Sequence, residues 1–219
     1  MTHFDDSHIE ALLELESTAH LKVSTLGRFD VELDGTAIPD NWGRDKAIQL
    51  FQFLMLSRNR TALHKEQIID RLWEENGSDQ DFKVALHGIN KAIEPKKKTR
   101  GSSRFILRQG SSYRVNMEHV WLDSQIMESF LEIGNNLVHT KKELAVIAFQ
   151  YAVKLYGGMF LPNRIFEDWT STERERLQML ALSGHISLAE LLLDEQSNET
   201  LRLTEEALNI DHTWAEEYR

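Results

Sequence analysis

A run of basic side chains near the middle of the sequence has the composition of a binding surface. Between Lys83 and Arg114 the chain has nine Lys or Arg residues and one acidic residue, Glu94. The local net charge is therefore 9 minus 1, or +8, in a chain whose formal net charge is −10. Lys and Arg concentrated in this way bind the phosphates of a nucleic-acid backbone. The segment therefore predicts a surface for double-stranded DNA.

A helix and a hairpin are expected to position these side chains. Apolar residues recur at spacings of four, three and four, which predicts a helix with one buried face; they are Phe82, Leu86, Ile89 and Ile93. Pro95 should end this helix. Two extended segments, residues 104–108 and 112–116, then flank a Gln109-Gly110-Ser111 turn. Extended segments around such a turn indicate a β-hairpin.

The polar side of the helix and the basic hairpin are the candidate DNA-binding residues. An α-helix fits the major groove, and Asn can pair with adenine edges there. The helix residues predicted to face the duplex are Lys83, His87, Asn90 and Lys91. The loop and hairpin residues predicted to hold phosphates are Lys96, Lys97, Lys98, Arg100, Arg104, Arg108 and Arg114. His64 and Lys65 begin an earlier helix whose N-terminus favours anions, although ordinary helix capping explains them equally well.

Plainer interpretations of these residues remain open. A polar helix face can be merely solvated, a lysine-rich loop can serve solubility, and charged edge strands prevent aggregation between sheets. The alternating carboxylates Asp30, Glu32 and Asp34 could suggest a metal. An exposed strand face explains them better, because no His or further ligand accompanies them. We expect neither a metal nor a cofactor.

Composition restricts the class of protein. The chain has 219 residues, of which 41% are hydrophobic and 27% charged, as in soluble globular proteins of one or two domains. No segment approaches the about 18 consecutive apolar residues of a membrane helix, and no secretion signal opens the sequence. These features predict a cytoplasmic protein without membrane contact. With no cysteine and no Walker, HExxH or GxSxG motif, the sequence predicts that the protein is not an enzyme.

Charge and periodicity divide the chain into three parts. Residues 1–20 have a net charge of −5 and predict a leader helix or linker. Residues 21–120 have a net charge of +4 and predict a small antiparallel sheet, three helices and the hairpin. Residues 121–219 have a net charge of −9 and read as helices only. Paired helices that each bury one face predict an all-α, TPR-like repeat layer. Such a layer needs a further covering helix, so we expect this domain to be truncated at its C-terminus.

An ordered series of landmarks runs from residue 21 to residue 219. In the first half they are LGRFDVELDG, Trp42, HKEQIIDRLW, FKVALHGINKAIEP and SRFILRQGSSYRV. In the second half they are LDSQIMESFL, LYGGMFLP, DWTSTERERL and EEALNIDHTWAEEYR. Together they resemble the bacterial transcriptional activator domain (BTAD) regulators, relatives of the SARP antibiotic-pathway activators. The resemblance implies an α+β fold with an OmpR-type winged helix-turn-helix, followed by an all-α, TPR-like helical domain.

The resemblance also implies a function and its partners. It implies a DNA-binding transcription regulator, an activator, that reads double-stranded promoter DNA with its third helix and wing. The helical domain would form a homodimer or contact RNA polymerase or another regulator. The alternative is a protein–protein interaction or signalling module whose winged helix does not bind DNA. The acidic net charge favours the alternative, as does Ile89-Asn90-Lys91 where the family usually has a Leu-Arg-Arg type triplet.

Overall fold

A computed structural model gives the fold of the chain. The residues that it describes are 6–58, 62–73, 77–98, 101–193 and 198–217. In chain order the helices and strands are α1 (Asp6–Thr18), β1 (Leu21–Ser24), β2 (Asp30–Leu33), β3 (Thr36–Ala37), α2 (Asp45–Leu56), β4 (Leu63–His64), α3 (Lys65–Trp73), α4 (Asp79–Ile93), β5 (Ile106–Gln109), β6 (Ser112–Val115), β7 (Val120–Leu122), α5 (Asp123–Leu137), α6 (Lys142–Leu155), α7 (Asp168–Leu192) and α8 (Asn198–Glu217). The predicted α+β class is confirmed.

The described residues form two compact units. The hairpin unit comprises those within Ala19–Lys22 and Asp30–Trp121. The helical unit comprises those within Met1–Thr18, Val23–Phe29 and Leu122–Arg219. Neither unit is continuous in sequence, because residues 23–29 belong to the helical unit although strands of the hairpin unit follow them.

A four-stranded sheet has the order β3-β2-β1-β7. In β2 the side chain of Val31 is buried while Asp30 and Glu32 are exposed, as the alternation of apolar and acidic residues predicts. The turn from β2 to β3 consists of Asp34 and Gly35, both with positive φ, of 49° and 76°. Two such residues in succession give the type I′ turn that matches the twist of a hairpin.

The hairpin unit has its core between α2 and α4. Leu50, Phe51 and Leu54 of α2 are buried, and α2 packs against α4. A capping box begins α4, because the Ser78 hydroxyl accepts from Asp81 N at 3.1 Å and the Asp81 carboxylate accepts from Ser78 N at 3.2 Å. Reciprocal capping of this kind fixes the first residue of α4, and therefore which residues of that helix face outward.

A glycine allows α4 to approach the segment before α2 closely. A Cβ atom on Gly88 would lie 2.6 Å from the carbonyl oxygen of Trp42 and 2.8 Å from Cβ of Ala47. The Trp42 ring is buried and packs on Phe51 with ring centroids 5.2 Å apart. Position 88 therefore has no room for a side chain.

The helical unit is built from helices that pack in succession. α5 packs against α6, α6 against α7 and α7 against α8, while α1 also packs against α5. Within the described residues, no helix combines the length and the apolar content required to cross a bilayer.

Residues 23–29 are held in the helical unit by backbone hydrogen bonds, from Gly27 N to Met159 O and from Leu161 N to Thr25 O, and by one buried carboxylate. Asp123 accepts from Thr25 N at 2.6 Å, from the Thr25 hydroxyl at 2.6 Å, from Leu26 N at 2.9 Å and from Ser124 N at 2.7 Å. Burial raises the pKa of Asp123 above its usual value, although these donors act in the opposite direction. Thr25 and Leu26, which directly follow β1, are thereby fixed to the first turn of α5.

Candidate nucleic-acid interface

Two lysines and a histidine form a row along the outer face of α4. Lys83, His87 and Lys91 are all exposed. Residues four apart lie above one another on a helix, so these side chains share one face. The row occupies the side of α4 opposite its buried residues, which are Phe82, Ala85, Ile89 and Ile93. The structure therefore brings together three of the four α4 residues predicted to face DNA.

Asn90 departs from its predicted role. Its side chain is half-buried, and its Nδ2 donates to the carbonyl oxygen of Leu86 at 2.9 Å. Its Oδ1 is buried and has no hydrogen-bond partner among the residues that the structure describes. The physical reason is local, since an Asn side chain can bond the carbonyl one turn earlier instead of pointing outward. The amide of Asn90 is thus directed into its own helix rather than toward a groove.

The hairpin is fixed to α4 through an aromatic contact. Tyr113 of β6 packs edge-on against Phe82, with ring centroids 4.9 Å apart. Arg108 is exposed, and its Nε donates to the carbonyl oxygen of Gly110 at 2.8 Å. Its guanidinium also lies over the Tyr113 ring, 5.8 Å from the centroid. Arg108 is therefore held in a defined position at the tip of the hairpin.

The arginines of the hairpin do not share one face. Arg108 pairs with Tyr113, and Leu107 pairs with Arg114. Side chains of successive strand residues point to opposite faces, so the exposed Arg108 and Arg114 lie on opposite faces of the hairpin. One face of the hairpin can therefore present only one of these two arginines to a polyanion that also contacts α4.

The loop after α4 presents its lysines outward. Lys96 and Lys98 are exposed and Lys97 is half-buried. Within the described part of the chain, none of the three forms an ion pair. Arg100, also predicted to contact phosphate, lies outside the described residues.

The single acid of the basic run is engaged inside the loop. The Glu94 carboxylate accepts from Arg104 N at 2.7 Å and from the Ser103 hydroxyl. The Arg104 side chain is exposed and its guanidinium lies 5.5 Å from the centroid of the Phe105 ring. Glu94 thus holds the backbone that carries Arg104, and it forms no ion pair with Lys96 to Lys98.

Asp79, at the start of α4, binds two of the candidate cations. Lys65 Nζ lies 2.5 Å from Asp79 Oδ1, and Lys83 Nζ lies 2.5 Å from Asp79 Oδ2. Hydrogen bonds from Lys65 and then Lys83 lower the pKa of Asp79 to about 2. The same hydrogen bond raises the pKa of Lys65 above its usual value. Both lysines are therefore already paired with Asp79.

His64 has a local structural role. Its Nδ1 accepts from Glu66 N at 3.4 Å, which is a capping contact at the start of α3. The His64 backbone N–H donates to Gln67 Oε1 at 3.2 Å. These contacts correspond to the capping interpretation of His64 rather than to a phosphate contact.

One basic residue of this surface was not identified from the sequence. Arg44 is exposed at the N-cap of α2, where it makes no side-chain capping bond. It lines a concavity of about 500 Å³ together with Trp42, His87 and Lys91. A basic residue directly before a helix start was the available signal, but only the packing of α2 on α4 places it beside His87 and Lys91.

Comparison with solved structures supports the fold described above. The chain is an α+β protein in which three helices and a basic hairpin are combined with a set of successive helices. It is similar to a solved structure described as Mycobacterium tuberculosis EmbR in complex with low affinity phosphopeptide. The TM-score is 0.71 and the sequence identity 18%, over 91% of this chain and 52% of that chain. The chain thus spans about half the length of the EmbR chain, and the likeness establishes the fold alone. No protein-family model and no curated protein matches the sequence.

Proposed function

We propose that the chain is a DNA-binding transcription regulator with a winged helix-turn-helix, of the BTAD and SARP type. In this proposal α4 is the recognition helix and the β5–β6 hairpin is the wing. The observation that carries the proposal is the exposed row of Lys83, His87 and Lys91 on α4. The lysine loop and the arginine hairpin follow directly in sequence, in a segment with a net charge of +8. The fold shared with EmbR supports the assignment of the two domains.

The cationic side chains divide into two roles on the DNA. Lys96, Lys98 and Arg104 would hold phosphates and set the position of the protein on the duplex. His87 and Lys91 would contact base edges in the major groove, where Lys pairs with guanine. Because the amide of Asn90 bonds Leu86, base reading depends on His87 and Lys91. On binding DNA, Lys83 would leave its ion pair with Asp79 and pair with a phosphate instead.

The helical unit is assigned the contacts with other proteins. Residues 121–219 have a net charge of −9, which does not favour nucleic acid. The EmbR structure contains a phosphopeptide, which supports protein contacts for chains of this fold. We assign to this unit homodimerisation or contact with RNA polymerase or another regulator, in a cytoplasmic activator.

Fluorescence anisotropy tests the proposal. The probe is a labelled duplex from the region upstream of the protein's own gene, titrated at low and at physiological salt. With about six phosphate contacts, affinity should fall about 10³-fold over this range. The double charge reversal Lys83→Glu and Lys91→Glu should abolish binding. The matched control is Lys141→Glu with Lys142→Glu at the start of α6, which changes the charge equally and should leave binding unchanged. Binding without salt dependence would contradict the mechanism.

A second candidate function is an interaction module whose winged helix does not bind DNA. Two observations favour it: the amide of Asn90 is used within α4, and Asp79 already binds Lys65 and Lys83. For such a module, the wild-type protein would show no salt-dependent binding to the duplex. The Lys83→Glu and Lys91→Glu variant would also keep its partner binding, whereas a regulator loses promoter binding.

A further inference from the structure

The concavity of about 500 Å³ in the hairpin unit has a positively charged lining. Its walls are the segment that leads into α2, residues 38–47, and the outer part of α4, residues 84–92. The basic side chains that line it are Arg44, His87 and Lys91. Among the described residues no acid lines it, although Asp40 and Asp45 are close by in sequence. Such a lining favours an anion.

The segment from Asn41 to Arg44 is held in one conformation beside α4. The Trp42 ring is buried, and the Trp42 carbonyl oxygen lies against Gly88 of α4. Asn41 Oδ1 accepts from Gly43 N at 3.3 Å, which closes a turn within the segment. Contacts with the core, with α4 and within the segment therefore fix the backbone that carries the side chains of Asn41 and Arg44.

Asn41 and Arg44 have N–H donors that the protein does not use. Arg44 is exposed, and its guanidinium forms no hydrogen bond and no ion pair with any residue that the structure describes. Asn41 is also exposed. Because its Oδ1 accepts from Gly43 N, its Nδ2 remains as a donor. Both residues line the concavity, so a ligand there meets donors from two neighbouring side chains.

The other basic residue at the start of α2 is used inside the protein. Lys46 is half-buried, and its Nζ donates to the carbonyl oxygen of Leu72 at 2.5 Å. The same Nζ lies 5.6 Å from the centroid of the Trp73 ring. A structural role therefore accounts for Lys46. Within the described part of the chain, no contact of this kind accounts for Arg44.

A phosphate group matches the donors of the concavity. Its oxygens only accept and it is negatively charged, so a guanidinium and an amide N–H can bond to it together. A guanidinium binds phosphate through two parallel N–H···O bonds, which fix its orientation as well as its position. His87 and Lys91 of the opposite wall are assigned to base edges in the proposed function. A phosphate held by Arg44 therefore belongs to the DNA backbone beside those base pairs.

We propose that Asn41 and Arg44 form a binding site for one phosphate of the DNA backbone and so fix the position of α4 in the major groove. This inference rests on the proposed function, because the phosphate belongs to the duplex that α4 reads. Phosphate contacts set the register of a protein on DNA without reading its sequence. Arg44 is thus a positioning residue, contributed by a part of the chain outside the basic run from Lys83 to Arg114.

Fluorescence anisotropy of the full chain with the labelled duplex tests the site. Arg44→Gln should weaken binding about tenfold, since hydrogen bonds to charged groups contribute most. The slope of log affinity against log salt should decrease in magnitude by about 0.9, the contribution of one phosphate. Arg44→Lys keeps the charge, so it should keep the slope and lose only part of the affinity. The loss should be equal on an unrelated duplex, because a phosphate contact carries no sequence information.

Neutral phosphates locate the contact on the DNA. In a series of duplexes, one phosphate at a time is replaced by an uncharged methylphosphonate. At one position the wild-type chain should lose about tenfold in affinity, whereas Arg44→Gln should lose nothing further, because that variant already lacks the contact. Asn41→Ala should show a smaller loss at the same position. Equal losses of the wild-type chain and Arg44→Gln at every position would overturn the proposal.

Inorganic phosphate distinguishes the DNA backbone from a free phosphate ligand. In an NMR titration of the ¹⁵N-labelled chain, inorganic phosphate at millimolar concentration should leave the Nε–H resonance of Arg44 in place, because one small anion lacks the many contacts of a duplex. The duplex should shift that resonance. A saturable shift by inorganic phosphate, without an effect of Arg44→Gln on duplex binding, would assign the site to a free phosphate and overturn the proposal.

Controls separate this site from the fold and from the proposed function. Arg202→Gln on α8 removes an equal charge from an exposed side chain of the helical unit and should change neither affinity nor slope. The midpoint of thermal unfolding of Arg44→Gln should equal that of the wild-type chain. If the wild-type chain binds the duplex and Arg44→Gln binds with the same affinity and slope, the phosphate site is refuted and the regulator function stands. If the wild-type chain does not bind, the regulator function fails, and this site fails with it.

Discussion

At the scale of single residues, two carboxylates each hold several partners in place. Asp123 binds Thr25 and Leu26, which precede it by 98 and 97 residues. Asp79 binds Lys65 and Lys83 on two helices. The pairing of Asp79 with Lys83 follows from their spacing of four along α4, whereas the contacts of Asp79 with Lys65 and of Asp123 depend on residues that the fold brings together. Lys83, His87 and Lys91 were predictable as one face, since their spacing alone places them on it.

Asp123→Ala should destabilise the helical unit strongly. The change leaves the buried N–H groups of Thr25 and Leu26 without an acceptor, and each such loss costs about 1–3 kcal/mol. We expect a decrease of roughly 2–4 kcal/mol in the free energy of unfolding, measured by urea denaturation. The control is Asp168→Ala, which removes an exposed acid from the equivalent first turn of α7. Equal small effects of the two substitutions would contradict the role given to Asp123.

The Asp79 carboxylate should contribute to the loss of stability of the hairpin unit in acid. Its pKa in the folded chain is about 2, against an ordinary value of 3.8, because Lys65 and Lys83 bind the charged form. A lowered folded pKa gives stability that is complete above the ordinary pKa and is lost as the pH falls through the folded value. Asp79→Asn should therefore reduce the decline in stability between those two pH values. An NMR titration of the Asp79 carboxyl with a midpoint at the ordinary value would refute this expectation.

At the scale of elements, the sequence predicted that α4 is a helix and that a hairpin follows it. It did not predict which residues of the two hairpin strands pair. Pro95 and Gly110 fix where the helix ends and where the chain turns. The sequence suggested a three-residue turn, whereas the structure pairs Gln109 with Ser112 around two turn residues. A shift of one residue in pairing moves side chains to the other face of a strand. For this reason the sequence could not show that Arg108 and Arg114 lie on opposite faces.

Gly88→Ala should destabilise the hairpin unit, although Ala usually favours a helix over Gly. The added methyl group would meet Trp42 O at 2.6 Å and Ala47 Cβ at 2.8 Å. Forcing a methyl group into a packed contact costs about 1–3 kcal/mol, more than the about 1 kcal/mol gained in helix propensity. The measurement is the midpoint of thermal unfolding. Ala47→Gly in the same chain should restore part of the loss, and a Gly88→Ala protein as stable as wild type would show that α4 and the Trp42 segment are not in close contact.

At the scale of the whole molecule, charge is divided between the two halves of the chain as composition indicated. The basic run lies within the hairpin unit, and the acidic residues 121–219 belong to the helical unit. The assignment of residues 23–29 to the helical unit was not visible in the sequence, because their alternating pattern indicates only a strand. Its long-range partners, the Asp123 carboxylate and the backbone of Met159 and Leu161, decide where that segment belongs.

The proposed regulatory function depends on binding of DNA by α4, the lysine loop and the hairpin. The most direct measurement is an amide NMR spectrum of the ¹⁵N-labelled chain, recorded with and without a duplex from upstream of its own gene. The predicted result is that chemical-shift changes concentrate in residues 83–91, the loop near Lys96 and Lys98, and residues 104–114. A spectrum unchanged by the duplex, or changes confined to the helical unit, would contradict the account.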